Sequence, residues 1–299
     1  MCSSDLMSAI EAIPSPGRKY RKEDLADLDP VLLGALLRER VHHNIEVPLY
    51  SVLLRDPLKP IPNFGLQAQL VYDEWVRRGL SQDGPDLEWV KRYIDIAAHI
   101  RKGEKPDIPE LEDSMPKPFS EGEMKVVRKL IWERCSIRNW TDRPVPDELI
   151  EQILEAGRAA PVGCNLDAVR FVVLRTSEEK SIIWSDIRTD NAVSIVLCFD
   201  KRISEAVGQD KMVPQNLGYD ASAAGDHMRL MAHALGLGGV WLSKTVKSEH
   251  TEDTGKKFKE LYGLPDHIEV ALHIAVGWPA SGIIKSKRLP LSDMIITRA

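Results

Sequence analysis

Residues 133–165 pack a basic cluster, a helix and a polar turn into one short stretch, and a proline stands at each end of the helix. Arg134, Ser136 and Arg138 alternate. In an extended segment, side chains at i, i+2 and i+4 share a face, so two guanidiniums and a hydroxyl can converge on one anionic or planar ligand. The same spacing also fits a solvated basic turn after a helix. Pro146 suits a first helical position, where its missing N–H does no harm. Leu149, Ile150, Ile153, Leu154, Ala156 and Ala160 then recur at helical spacing until Pro161 stops the run. The turn at 161–165 leads into the strand-like run 171–174.

Composition narrows the function classes. With 299 residues, 43 % of them hydrophobic and 28 % charged, the chain can bury a substantial core. A net charge of −5 argues against a nucleic-acid binder. Cys2, Cys135, Cys164 and Cys198 are widely spaced and form no C-x-x-C, so neither a disulfide framework nor a zinc site is indicated. The N-terminus lacks a basic region followed by a long apolar core, and no stretch approaches the roughly 18 apolar residues of a membrane helix. A soluble cytoplasmic protein, without a membrane or nucleic-acid partner, is expected.

The first 118 residues read as a helical extension. Asp27 to Pro30 can start a helix carrying Leu32, Leu33, Leu36 and Leu37, residues 67–80 and 86–102 repeat the helical spacing, and 44–58 reads as a loop or short strand. Each helix has a one-sided apolar face without an evident core of its own, so the extension is expected to pack on the following domain or on a partner subunit. Four prolines mark 102–119 as a linker, which places a second domain at 119–299. His42 and His43 are adjacent and make a poor metal pair, so structural roles are expected for them.

Further on, Ser120 and Glu123 form a capping box for a helix leading to Arg134. Residues 177–187 suggest a short helix, 192–199 a buried strand, 200–218 a mobile loop or lid, and 217–235 a helix with small residues for close packing. The G-L-G-G run at 236–239 follows a helix and precedes the strand-like 240–242. A dinucleotide fingerprint has the opposite order, so a Rossmann reading is rejected. Residues 252–262 read as a helix and 268–276 as a strand with His273 in the core. Ser136, Ser222 and Ser243 lack a nucleophile-elbow context, so no acyl-transfer triad is visible.

Several motifs fall in a familiar order: R-x-S-x-R at 134–138, V-P-D-E-L at 145–149, A-P-x-x-x-N at 160–165, H-A-L-G-L-G-G-V-W-L at 233–242, A-V-G-W-P at 275–279 and K-R-L-P-L at 287–291. Together they resemble the nitroreductase family of FMN-dependent oxidoreductases. The resemblance implies an α+β fold, with a mixed, mainly antiparallel sheet wrapped in helices, and a homodimer holding FMN at the subunit interface. It places Arg134 and Ser136, with neighbouring Cys135, at the flavin phosphate, and Lys285, Lys287 and Arg288 to complete that site. Arg138 would lie toward the pyrimidine edge of the flavin, where a cation stabilises the charge left by reduction. Pro161, Val162, Gly163 and Asn165 would reach the flavin of the other subunit, and the backbone at Leu242, Ser243 and Lys244 would approach N5.

The implied activity is hydride transfer from NADH or NADPH through flavin N5 to a nitroaromatic, quinone or enone acceptor. Val162 stands where the family usually has Ser, and Asn165-Leu-Asp-Ala-Val169 replaces N-x-Q-P-W. That altered substrate face keeps open an oxidative or flavin-consuming member of the same fold; a non-enzymatic flavin-binding regulator is the other alternative. The segment between the strands at 171 and 192 is short for the family, so the extension or the 200–218 loop is expected to roof the active site.

Overall fold

A computed structural model describes residues 19–180, 191–242 and 251–297. The chain opens with α1 (Lys22–Leu25) and α2 (Pro30–Val41). Asp29 caps α2 by accepting the Val31 N–H at 2.8 Å, and Pro30 sits in its first turn. A π-helical turn (His42–Glu46) then runs into α3 (Val47–Leu53). The loop or short strand expected at 44–58 is therefore largely helix. Pro48 is tolerated because it lies in the first turn of α3, and burial of Ile45, Leu49 and Val52 outweighs the low helix propensity of the β-branched residues.

After α3 come α4 (Leu66–Arg77), α5 (Pro85–Lys102), a single turn α6 (Glu110–Asp113), α7 (Glu121–Glu133) and α8 (Asp147–Arg158). The capping box of α7 forms as expected, with the Ser120 N–H donating to Glu123 Oε2 at 2.7 Å and the Glu123 N–H to Ser120 Oγ at 3.3 Å. Strands β1 (Val169–Leu174) and β2 (Val193–Asp200) follow, then α9 (Lys201–Val207), α10 (Gln209–Met212), α11 (Asn216–Ala234), β3 (Gly238–Leu242), α12 (Thr251–Tyr262), β4 (Ile268–Gly277) and α13 (Leu291–Met294). Residues 200–218, expected as a mobile loop, are mostly helical. Asp200 caps α9 by accepting the Arg202 N–H at 3.1 Å, Ile203 and Val207 are buried, and Gly208 turns the chain at φ +76°. Two helices this short show no readable period. Of the helix expected at 177–187, residues 181–187 lie outside the described residues.

The fold is α+β. The sheet has the order β1-β2-β4-β3 with antiparallel pairing throughout, and Ser136 adds a parallel bridge to Gly239. β2 is apolar almost without interruption because both faces are covered. Ile195 and Leu197 pack toward α8 and α11, whereas Val196 and Cys198 meet Phe258 of α12. His273 on β4 is fully buried within this layer, as expected, and burial pushes its pKa down to about 4, so it is a neutral core residue.

The N-terminal helices share one core with the following region, the first of the two packings expected of them. Leu25, Leu33, Leu37, Ile45, Phe64, Val90 and Ile100 form one buried cluster, which continues into Leu166, Ala168, Ile203, Val207 and Leu217. Each aliphatic side chain buried there stabilises the fold by about 1.5–3 kcal/mol. The one-sided faces seen in sequence close on one another and on the region after residue 160.

Candidate functional site

Arg134 is the C-cap of α7, with φ −55° and ψ 130° that turn the chain into an extended run. That run is clamped to the sheet. The Ile137 N–H donates to Gly239 O at 3.2 Å, Trp140 Nε1 donates to Gly238 O at 2.9 Å, and the Thr141 N–H donates to Trp278 O at 2.9 Å. Gly238 permits the close approach, since a Cβ there would lie 2.6 Å from Ile137. Ser136 is thereby fixed beside β3, and exposed Arg138 folds back to donate to Ser136 O at 3.4 Å.

Arg134 is half-buried, and its Nη1 has no hydrogen-bond partner among the described residues. Burial lowers its pKa, and the positive charges of Arg229 and Arg288 lower it further. Arg229, from α11, was not found by sequence reasoning. Its guanidinium pairs with Asp226, stacks 5.2 Å from the Trp241 ring and keeps a buried Nε without a hydrogen bond among the described residues. Burial also lowers the pKa of His233, one turn along α11, as do the nearby charges of Lys285, Arg134 and Lys129; Glu133 opposes them. The structure thus brings Arg134, Arg229, Arg288 and Lys285 within electrostatic reach of one small region. Lys285, Lys287 and Arg288 are themselves exposed. A helical residue such as Arg229 gives no sequence signal beyond its charge.

The turn after α8 is assembled differently. Pro161 is exposed, Val162 is extended, and Gly163–Asn165 make one 3₁₀ turn. Cys164, Asn165 and Asp167 all have positive φ, at 55°, 56° and 49°. Asn and Asp enter that region readily, whereas for Cys164 it costs about 1–2 kcal/mol. Contacts from distant segments hold the turn. The Gly163 N–H donates to Asp220 Oδ1 at 2.9 Å, and a Cβ at Gly163 would lie 2.9 Å from Asn216 Nδ2. From α2, Arg38 donates to Leu166 O at 3.3 Å and lies 3.4 Å from the Asp167 carboxylate. His43 stands near Cys164, and its Nδ1 lies 2.9 Å from Glu39 Oε1. These two partners raise the His43 pKa to about 9. Arg38, Asn216 and Asp220 carry no motif in the sequence, because each acts across more than fifty residues.

His42 takes a separate carboxylate, Glu46, at 2.6 Å, and no group of three or more His, Cys, Asp or Glu among the described residues could hold a metal ion. Leu242 ends β3 half-buried; Ser243 and Lys244 lie outside the described residues. A cavity of about 670 Å³ lies between α9–α11 and the sheet, lined by Phe199, Leu217, Tyr219 and Trp241 with Lys201 and Asp210 at its polar side. Trp241 is shared between this cavity and the arginine cluster.

The nitroreductase family profile matches residues 131–215. A protein of Archaeoglobus fulgidus, provisionally named NADH dehydrogenase/NAD(P)H nitroreductase, is 32 % identical over 161 residues, which cover 52 % of this chain and 87 % of that protein. The FMN reductase [NAD(P)H] of Bacillus subtilis is 28 % identical over 186 residues, covering 56 % of this chain and 71 % of the relative. A solved nitroreductase structure from Desulfovibrio desulfuricans in complex with FMN aligns at 30 % identity and a TM-score of 0.45, over 58 % of this chain and 96 % of that one. The chain belongs to the nitroreductase family.

Proposed function

We propose that this chain is an FMN-dependent oxidoreductase that passes hydride from NADH or NADPH to a small organic acceptor of nitroaromatic, quinone or enone type. The observation that carries this reading is the buried, unpartnered Nη1 of Arg134 beside Arg229, Arg288 and Lys285. A buried guanidinium nitrogen without an acceptor is costly, and a phosphate monoester offers both the charge and the acceptor oxygens to satisfy it. Family membership and the name of the B. subtilis relative support FMN as the phosphate's owner.

FMN would supply the two-electron chemistry, taking up hydride at N5 and releasing it there. Arg134, Arg229, Ser136, Lys285, Lys287 and Arg288 hold the phosphate in this reading, with Cys135 at its edge. Arg138 stabilises negative charge at the pyrimidine edge. Residues 161–163, Asn165, Leu242 and Ser243 line the ring system. The aromatic wall of the cavity at Trp241 and Tyr219 suits a flat, apolar acceptor.

A homodimer is part of the proposal. α7 buries none of its residues, although Val126, Ile131 and Trp132 lie on it, and Leu289, Leu291 and Ile296 of the C-terminal segment are exposed. So much exposed apolar surface fits an obligate partner. Residues 119–299 form the FMN-binding domain in this reading and 1–118 an extension that braces it. No helix of the described residues is long and apolar enough to cross a membrane, and we place the enzyme in the cytoplasm.

The test is an anaerobic absorbance spectrum of the purified protein before and after NADH and then NADPH. Bound FMN that bleaches with either nucleotide is the expected result. A protein that takes up no FMN would sink the proposal, and bound FMN that stays oxidised with both would favour the oxidative alternative.

A further inference from the structure

We infer that the cavity between α9–α11 and the sheet takes an aromatic cation, a flat ring bearing one positively charged substituent such as a benzylic ammonium. Trp241 and Tyr219 offer ring faces on its apolar side, while Lys201, Glu205, Asp210 and Glu269 carry the formal charges of the lining. Three carboxylates against one ammonium leave two negative charges in excess.

That excess is not neutralised within the protein. Lys201 Nζ lies 3.2 Å from Glu269 Oε1, so the ammonium of the lining is already matched to one of its carboxylates. Glu205 and Asp210 take no ion pair among the described residues. Asp210 Oδ1 is buried and has no hydrogen-bond partner among them either. A carboxylate oxygen cut off from water and without a donor is costly, and a cation in the adjoining cavity offsets that cost by Coulomb attraction. The nearby hydroxyls are engaged elsewhere, since Ser204 donates to Lys201 O at 3.1 Å and Ser222 to Gly218 O at 2.7 Å. The cavity is short of positive charge, not of acceptors.

The aromatic side sets the shape of the ligand. A flat ring stacks on Trp241, and Tyr219, 62 % exposed, offers its face to the charged substituent. Arg229 lies 5.2 Å from the Trp241 ring but is paired with Asp226, so it leaves the carboxylates of the cavity uncompensated. The volume of about 670 Å³ falls within the range of small-molecule sites, about 300–1,000 Å³. An anionic ring of the same shape meets the opposite balance of charge and is disfavoured. That the ligand is the electron acceptor, so that an acceptor of nitroaromatic, quinone or enone type carries the positive charge, rests on the proposed function; the charge preference of the cavity does not.

The experiment compares three probes that share one ring, 4-nitrobenzylamine, 4-nitrobenzyl alcohol and 4-nitrobenzoate, by equilibrium dialysis against the full-length protein at pH 7, with and without FMN and without nicotinamide nucleotide. The amine, an ammonium at this pH, is expected to bind at least about 10-fold more tightly than the alcohol, and the benzoate more weakly than either. Raising salt from about 0.05 to about 0.5 M should narrow the amine's preference at least about 2-fold. Asp210→Asn, which keeps the shape and removes the charge, should lower the amine-to-alcohol ratio about 5-fold, and Glu205→Gln about 2-fold. Where Asp210→Asn loses the alcohol as well, Glu205→Gln reads the same ratio. Equal binding of amine and alcohol by the wild type overturns the proposal, as does an amine that fails to bind at about 1 mM or a ratio unchanged in both variants. Amine selectivity without FMN stands even where flavin binding fails. Flavin that bleaches normally in a protein without charge preference defeats this inference alone.

Discussion

The arginine cluster and the turn at 161–167 are the two halves of the proposed site, and they are built by different means. The cluster rests on a capped helix and on backbone pairing with the sheet. α7 delivers Arg134, and the extended run behind it is bonded to β3 and the end of β4. The turn has little support of its own, and its left-handed residues are held by Arg38, His43, Asn216 and Asp220 from other elements. One half carries a charge awaiting an anion; the other carries a shape imposed from outside. Ligand affinity should therefore depend on the cluster, and stability on the braces of the turn.

The largest expected effect comes from removing the brace altogether. Deleting residues 1–118 uncovers Leu166, Ala168, Ile203, Val207 and Leu217, which share a core with the extension. Losing that cover costs several side chains at about 1.5–3 kcal/mol each, enough to abolish a cooperative melt. A soluble fragment 119–299 that melts cooperatively at the wild-type temperature would break the contrast. Next is Leu37→Ala in the same core, which should destabilise by about 2–5 kcal/mol in a denaturant titration while leaving the FMN affinity of the folded fraction within about 3-fold. A parallel loss of affinity would show that the two halves are coupled.

Arg38→Ala is expected to cost about 1–3 kcal/mol in stability, since it removes a bond to Leu166 O and an ion pair to Asp167 at once. Chemical denaturation reads this directly, and no change would mean that the turn holds itself. The smallest effect concerns pH. His43 has its folded-state pKa raised from the ordinary 6.5 to about 9, so its stabilising contribution is fully present below pH 6.5 and is lost as pH rises through about 9. The stability difference between wild type and His43→Gln, measured by denaturation across that window, should therefore shrink with rising pH. A difference that grows would reverse the assigned sign.

The same contrast explains what could be read from the sequence. Motifs of contiguous residues were legible: R-x-S-x-R, the proline-bounded α8, the Ser120 capping box and the apolar β2 all depend on neighbours in the chain. Residues 44–58 and 200–218 misled because burial and capping made helices where propensity and a weak period pointed elsewhere. Arg229 looked like any surface arginine of a helix until the fold set it beside Arg134. Arg38 and Asp167 lie more than a hundred residues apart, and no local pattern announces their pairing.

The central claim, that the cluster around Arg134 holds the phosphate of FMN, is tested most directly by comparing FMN with riboflavin, which lacks only the phosphate, in fluorescence titrations of the wild type and Arg134→Ala. With charge-assisted contacts worth about 1.5–3 kcal/mol each, the wild type should prefer FMN by at least about 100-fold, and Arg134→Ala should lose at least about 10-fold of that preference with riboflavin binding unchanged. Equal affinities in the wild type, or a preference that survives the substitution intact, would contradict the account.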